Sequence, residues 1–84
     1  MIITDAAGLG SALRSARQAK GLRQADLAAM VGVSRQWAAK VERSAPTARF
    51  DLVLRALRCV DLLVDLVPDD TEGLAEAIYG ATRG

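Results

Sequence analysis

Apolar residues recur at intervals of three and four through the first sixty positions, which is the spacing of one face of an α-helix. The first such pattern consists of Leu9, Ala12, Leu13 and Ala16. Asp5 precedes it as a candidate N-cap, and Gly21 ends it. The sequence therefore predicts a first helix between Asp5 and Gly21, with Arg14 and Arg17 exposed to solvent on the face opposite the apolar residues.

Two shorter helical patterns follow, with a glycine between them. Residues 24–31 predict a second helix, and Gly32 directly after it can take the positive φ that ends helices. The inward residues of this helix are Leu27, Ala28 and Val31. Ser34 is a candidate N-cap for a third helix, which extends to about Arg43. Its predicted inward residues are Ala38 and Val41.

A fourth helix is predicted from about Ala48 to Arg58. Pro46 separates it from the third helix, because proline has no backbone N–H and disfavours helix at the residue before it. Thr47 is the candidate N-cap of the fourth helix. The residues predicted on its apolar side are Phe50, Val53, Leu54 and Leu57.

The run "LLVDLV", residues 62–67, is apolar on nearly all sides and ends before Pro68. It favours a short strand in which Leu62, Val64 and Leu66 face one way. A helical alternative stays open, because Val53, Leu57, Val60, Val64 and Val67 also follow a spacing of four and three that suits a coiled-coil seam. Either element has no partner within the chain, so we expect a second copy to pair with it and form a homodimer.

Composition narrows the possible functions. A chain of 84 residues forms one small domain, to which a second chain would add stability. With one cysteine the chain cannot form an intramolecular disulfide, and with no histidine it lacks the commonest general base and metal ligand. We therefore expect a protein that is not an enzyme and uses no cofactor or metal, with Cys59 in or near the core. No apolar run reaches the roughly 18 residues of a membrane span and no leader precedes the chain, so a cytoplasmic location is expected.

The net charge of +1 conceals an uneven distribution. Residues 1–60 contain ten basic and four acidic residues, whereas residues 61–84 contain one basic and six acidic residues. The basic region is suited to bind an anionic partner, and the acidic region is expected to have a separate function. We predict a domain over residues 1–68 that binds an anion and dimerises, and an acidic C-terminal tail over residues 69–84, for which a weak helix and disorder both stay open.

Residues 24–42 have the length and punctuation of a helix-turn-helix, since two short helices flank a tight turn. The helices of this motif cross closely, which requires a small residue such as Ala28 in the first helix and a glycine such as Gly32 at the turn. The second helix then exposes Arg35, Gln36, Ala39 and Lys40. These residues lie near its N-terminal half, the part that enters the major groove of DNA.

The stretch "RQADLAAMVGVSRQWAAKVER" resembles the Cro/repressor-type helix-turn-helix, or XRE family, in which the pattern "Q-x-x-L-A…G-V-S-x-x…E" recurs. The segments "DAAGLGSALRSARQAKGLRQ" and "VLRALRCVDLLVDLVP" are similar to HipB-like antitoxin repressors. This resemblance covers residues 5–68. It implies an all-α, lambda-repressor-like bundle of four to five helices, with one short C-terminal strand that pairs across a dimer.

The function implied by the resemblance is transcriptional repression at a palindromic operator in double-stranded DNA. A HipB-like antitoxin would also neutralise a HipA-like kinase toxin. The alternative is a stand-alone XRE-family regulator, such as a phage-type repressor or a restriction-modification controller, without a toxin partner. A protein-interaction module is less suitable, because it would have no use for Arg35, Gln36 and Lys40 beside Gln24.

The resemblance also implies a set of DNA-contacting residues: Gln24, Ser34, Arg35, Gln36, Trp37, Lys40 and Arg43. Gln24 and Ser34 would donate to phosphate. Arg35 suits O6 and N7 of guanine and Gln36 suits N6 and N7 of adenine, each worth about 1–3 kcal/mol of discrimination. Lys40 and Arg43 would bind phosphate, which contributes the salt-sensitive part of the affinity.

Three further expectations concern single residues. Trp37 suits either a DNA contact or packing, and the sequence leaves both open. Glu42 recurs in the family and is expected to form an ion pair or hydrogen bond within the protein. Asp61 replaces the glycine usual in the HipB-like pattern, but aspartate tolerates the left-handed conformation better than most residues.

Overall fold

The structure is a computed structural model that describes residues 2–44 and 48–68. These ranges contain four helices: α1 (Ala6–Ala19), α2 (Gln24–Val31), α3 (Arg35–Glu42) and α4 (Phe50–Cys59). The predicted all-α class is therefore confirmed for this part of the chain. None of the helices described is long and apolar enough to cross a membrane. The predicted N-cap Thr47 and the tail at 69–84 lie outside the described residues.

The capping residues predicted for α1, α2 and α3 are observed in the structure. Asp5 Oδ1 accepts a hydrogen bond of 2.7 Å from the Gly8 N–H, and Ser34 Oγ accepts one of 3.1 Å from the Trp37 N–H. Both side chains therefore satisfy backbone donors that a helix start leaves unpaired. Gly32 ends α2 with φ 88°, in the left-handed region that glycine adopts without strain.

The start of α2 has an additional carboxylate contact. Asp26 Oδ2 accepts a hydrogen bond of 2.8 Å from the Arg23 N–H, and the Arg23 guanidinium donates to both carboxylate oxygens at 2.9 and 3.1 Å. The side-chain hydrogen bonds from Arg23 lower the pKa of Asp26 to about 2 and raise the pKa of Arg23. Asp26 therefore stays ionised at the N-terminus of α2, where a negative charge is favourable.

The core lies where the four helices meet. It consists of Leu13, Leu27, Val31, Val41, Val53, Ala56, Leu57 and Val60. Helix α2 packs against α3 and α4, and α1 packs against α3. Cys59 is half-buried against this core, as expected. Phe50 was predicted to face inward and is instead 67% exposed, because it is the first residue of α4 and lies beyond the packed part of the helix.

Helix α1 approaches α3 closely at Gly10. A Cβ atom there would overlap the Val41 carbonyl oxygen and lie 2.8 Å from the Glu42 carbonyl oxygen. Because these atoms belong to the α3 backbone, they cannot move aside without shifting the helix. Gly10 therefore sets the distance between α1 and the third helix.

Helix α4 ends at Cys59, so the alternative in which it continues to residue 67 as a coiled-coil seam is wrong. The chain turns at Asp61, whose φ of 64° is left-handed and interrupts the helix. Asp61 Oδ2 also accepts a hydrogen bond of 2.7 Å from Lys20 Nζ, and this contact lowers the pKa of Asp61. The expected turn is thus formed by aspartate in place of glycine.

Residues 62–68 contain neither helix nor strand. Leu62 is half-buried against the core, whereas Val64 is 48% and Leu66 is 88% exposed. The predicted common face of Leu62, Val64 and Leu66 is therefore not buried within one chain. Pairing of this segment with a second copy stays a prediction, since a strand needs a neighbour to complete its hydrogen bonds.

Candidate nucleic-acid interface

One cleft of about 360 Å³ lies on the exposed side of α2 and α3. The residues that line it are Gln24, Arg35, Gln36, Ala39, Lys40 and Arg43. Five of the seven residues predicted to contact DNA are thus brought together. Three of them are cations and none of the lining residues is acidic, so the cleft is suited to a polyanion.

The direction of α3 explains why these side chains share one surface. Ala38 and Val41, on the opposite side of the helix, are 0% and 5% exposed and hold it against the core. The small Ala28 of α2 is also buried, which allows the two helices to cross closely. The side chains of Arg35, Gln36 and Lys40 therefore point away from the core.

Two predicted site residues lie outside this cleft. Trp37 is half-buried and packs against the core, and a DNA contact by this residue stays a prediction. Ser34 is exposed at the start of α3, where its Oγ accepts the Trp37 N–H. A serine hydroxyl can accept and donate at once, so Ser34 can still donate to an anion near the helix N-terminus.

A buried ion pair joins α1 to the end of α3. Arg17 Nε lies 2.6 Å from Glu42 Oε2, and Arg17 Nη2 donates to Glu42 Oε1 at 3.0 Å. The two side chains are only 9% and 2% exposed. The expectation that Arg17 is solvated is therefore wrong, whereas the expected ion pair of Glu42 is confirmed. The signal for Arg17 was its position four residues after Leu13, which places it on the packed face of α1.

This ion pair is connected to the cleft through Gln24. Gln24 Nε2 donates to Glu42 Oε1 at 3.2 Å, and Arg35 Nη1 donates to Gln24 Oε1 at 3.3 Å. We call these four residues, Arg17, Glu42, Gln24 and Arg35, the Glu42 network. The sequence identified Gln24 and Arg35 as separate DNA contacts but contained no signal that they are linked.

Half of the cations that form no ion pair within the described residues line the cleft. Three surface cations have carboxylate partners at 2.7 to 2.9 Å: Lys20 with Asp61, Arg23 with Asp26, and Arg49 with Asp51. Within the described ranges, Arg35, Lys40 and Arg43 form no ion pair. These three side chains are therefore available to an external anion.

Comparison with known proteins supports the helix-turn-helix architecture. A chain of the HipA-HipB-O2-O3 complex matches with a TM-score of 0.75 and 20% identity, covering 83% of this chain and 99% of that one. A chain from a complex of a HipB variant with an O2 20mer matches with a TM-score of 0.76 and 21% identity, covering 83% and 97%. No curated protein matches the sequence significantly. A family model described as a helix-turn-helix domain matches residues 8–83, and the chain therefore belongs to the helix-turn-helix domain family.

Proposed function

We propose that this protein is a sequence-specific DNA-binding transcriptional repressor of the HipB-like antitoxin type. The observation that carries the proposal is the cleft on α2 and α3, which combines three unpaired cations with two amide side chains on the exposed side of a helix-turn-helix. The fold shared with chains from HipB complexes supports it. The protein acts as a regulator and not as an enzyme, and it works in the cytoplasm.

The cleft residues divide by chemistry. Arg35 and Gln36, in the first turn of α3, reach base edges in the major groove. Lys40 and Arg43 lie further along the helix and bind phosphate, as does Ser34 at the helix start. Trp37 packs against the core and thereby supports α3.

Dimerisation supplies the second recognition helix. The exposed aliphatic residues after Asp61 support a homodimer in which the segments 62–67 of two chains pair as antiparallel strands. Leu62, Val64 and Leu66 are then buried on the helical bodies. Two copies of α3 about 34–36 Å apart would contact the two halves of a palindromic operator.

The two proposed binding roles are assigned to regions of opposite charge. Residues 1–68 bind DNA and dimerise, and the acidic residues 69–84 are available to a HipA-like kinase toxin. The alternative, a stand-alone XRE-family regulator, shares the DNA cleft and lacks the toxin. Co-expression with the products of neighbouring reading frames separates the two, because only the antitoxin co-purifies with a kinase-like protein.

The DNA-binding role is tested by selecting operators from a random DNA library and measuring binding by fluorescence anisotropy. We expect the wild-type chain to enrich a palindrome, and Gln36→Ala to lose about 1–3 kcal/mol of discrimination at one base pair of each half-site. Gln18→Ala is the matched control, since Gln18 is exposed on α1 outside the cleft. A wild-type chain that enriches no sequence would refute the proposal.

A further inference from the structure

Both polar atoms of the Gln24 amide form hydrogen bonds within the Glu42 network. Its amide nitrogen donates to Glu42, and its amide oxygen accepts from Arg35. An ionised carboxylate can only accept hydrogen bonds, so Glu42 decides which end of the Gln24 amide faces it. The oxygen must then point toward Arg35.

Glu42 is itself held in one position. Both of its carboxylate oxygens accept hydrogen bonds from Arg17, whose Nη1 also donates to the Leu22 carbonyl oxygen at 2.7 Å. The Glu42 side chain is 2% exposed, so water does not compete for it. The orientation of Gln24 is therefore imposed from the interior of the protein.

Arg35 lies at the other end of this network and is exposed in the cleft. A long arginine side chain is flexible in water, and ordering it on binding reduces affinity. Its contact with Gln24 engages one guanidinium nitrogen and leaves other N–H groups for a base edge. A side chain ordered in advance selects one base pair more strictly than a mobile one.

We propose that Glu42 is a positioning residue for DNA recognition, which sets the direction of Arg35 through Gln24 without contacting DNA itself. This inference rests on the proposed DNA-binding function. It predicts that an interior ion pair between α1 and α3 controls discrimination at the single base pair that Arg35 contacts. The phosphate contacts of Lys40 and Arg43 do not depend on it.

Two variants test the inference by different routes. Arg17→Met with Glu42→Met removes the interior end of the network, and replacing both charges avoids leaving one buried and unpaired. Gln24→Met keeps the ion pair and removes the link to Arg35, and because Gln24 is half-buried at the surface, this variant is expected to fold. Gln18→Met is the control, and circular dichroism with thermal melting checks that every variant is folded.

The measurement is affinity for a panel of operators that carry each single base-pair change, at several salt concentrations. Arg35→Ala first identifies the base pair that Arg35 contacts. We expect both network variants to lose about fivefold or more of the preference at that base pair and to keep the preferences elsewhere. When they are introduced into the Arg35→Ala variant, the network substitutions should cause no further loss of preference at that base pair. The double Met variant keeps the cationic phosphate contacts, those of Lys40 and Arg43, and should keep the salt slope of the wild type.

Equal losses at all base pairs would show that the network only stabilises the fold and would overturn the inference. Unchanged preference at the Arg35 base pair would also overturn it, while the proposed DNA-binding function would stand. A wild-type chain with no preference for any operator would refute the proposed function and this inference together.

Discussion

Arg17 of α1 and Glu42 of α3 form a buried ion pair with two hydrogen bonds, of 2.6 and 3.0 Å, across 25 positions of sequence. Because a buried charge without its partner is costly, we expect Arg17→Met or Glu42→Met alone to lower the free energy of unfolding by about 3–5 kcal/mol. The double substitution should restore most of this loss. Urea denaturation measures all three variants. Additive losses in the double variant would contradict this account of the pair.

The close approach of α1 to α3 predicts that Gly10→Ala is destabilising. Helix propensity alone favours alanine by about 1 kcal/mol. Overlap with the α3 backbone outweighs this gain, and we expect a net loss of about 1–3 kcal/mol in thermal or urea unfolding.

Gly8→Ala is the matched control for Gly10→Ala, since both glycines lie in α1. A Cβ at Gly8 would lie 3.2 Å from Asp5 Oδ1 and 3.4 Å from Ile3 Cγ2, and these side chains can shift. We expect it to keep or raise stability. If Gly10→Ala proved as stable as Gly8→Ala, the close contact between α1 and α3 would be wrong.

The Asp26 contact predicts a specific acid sensitivity. The pKa of Asp26 is lowered from its ordinary 3.8 to about 2 in the folded chain, chiefly by the side-chain hydrogen bonds from Arg23. The ionised Asp26 carboxylate therefore contributes fully to the stability of the folded chain above pH 3.8. This contribution is lost as the pH falls toward 2, because Asp26 takes up its proton at a higher pH in the unfolded chain than in the folded one. We expect the stability difference between wild type and Asp26→Asn to shrink over this interval in urea titrations. A difference that stays constant from pH 5 to 2 would contradict the assignment.

The aliphatic segment after Asp61 predicts how the oligomeric state responds to charge. In the proposed dimer, Leu66 faces the helical bodies and Leu63 faces the other way, although both are exposed in a single chain, by 88% and 75%. Leu66→Asp should therefore dissociate the dimer, and Leu63→Asp should leave it intact. Light scattering or sedimentation distinguishes the two. A dimer that survives Leu66→Asp, or truncation after Cys59, would exclude this segment as the interface.

Short-range signals in the sequence were sufficient for the helices and for the exposed side of α3. Asp5, Gly32 and Ser34 act on backbone groups only a few residues away, so their roles can be identified without a fold. The spacing of Ala38 and Val41 likewise determines which side of α3 faces solvent.

The end of α4 depends both on a local backbone conformation and on a tertiary contact. The apolar spacing from Val53 to Val67 is compatible with a longer helix, and it does not show where the helix stops. The left-handed conformation of Asp61 and its contact with Lys20, 41 positions earlier, turn the chain there. The spacing of apolar residues in the sequence does not predict the contact between Lys20 and Asp61.

By itself, the sequence determined the helix-turn-helix and the cationic residues on its exposed helix, because these follow from periodicity and capping within a few residues. Only the tertiary structure decided that Trp37 packs against the core and that Arg17 is buried against Glu42. It alone joined Gln24 to Glu42 and Arg35. These contacts form between residues on different helices, and the packing of α1 and α2 against α3 brings them together.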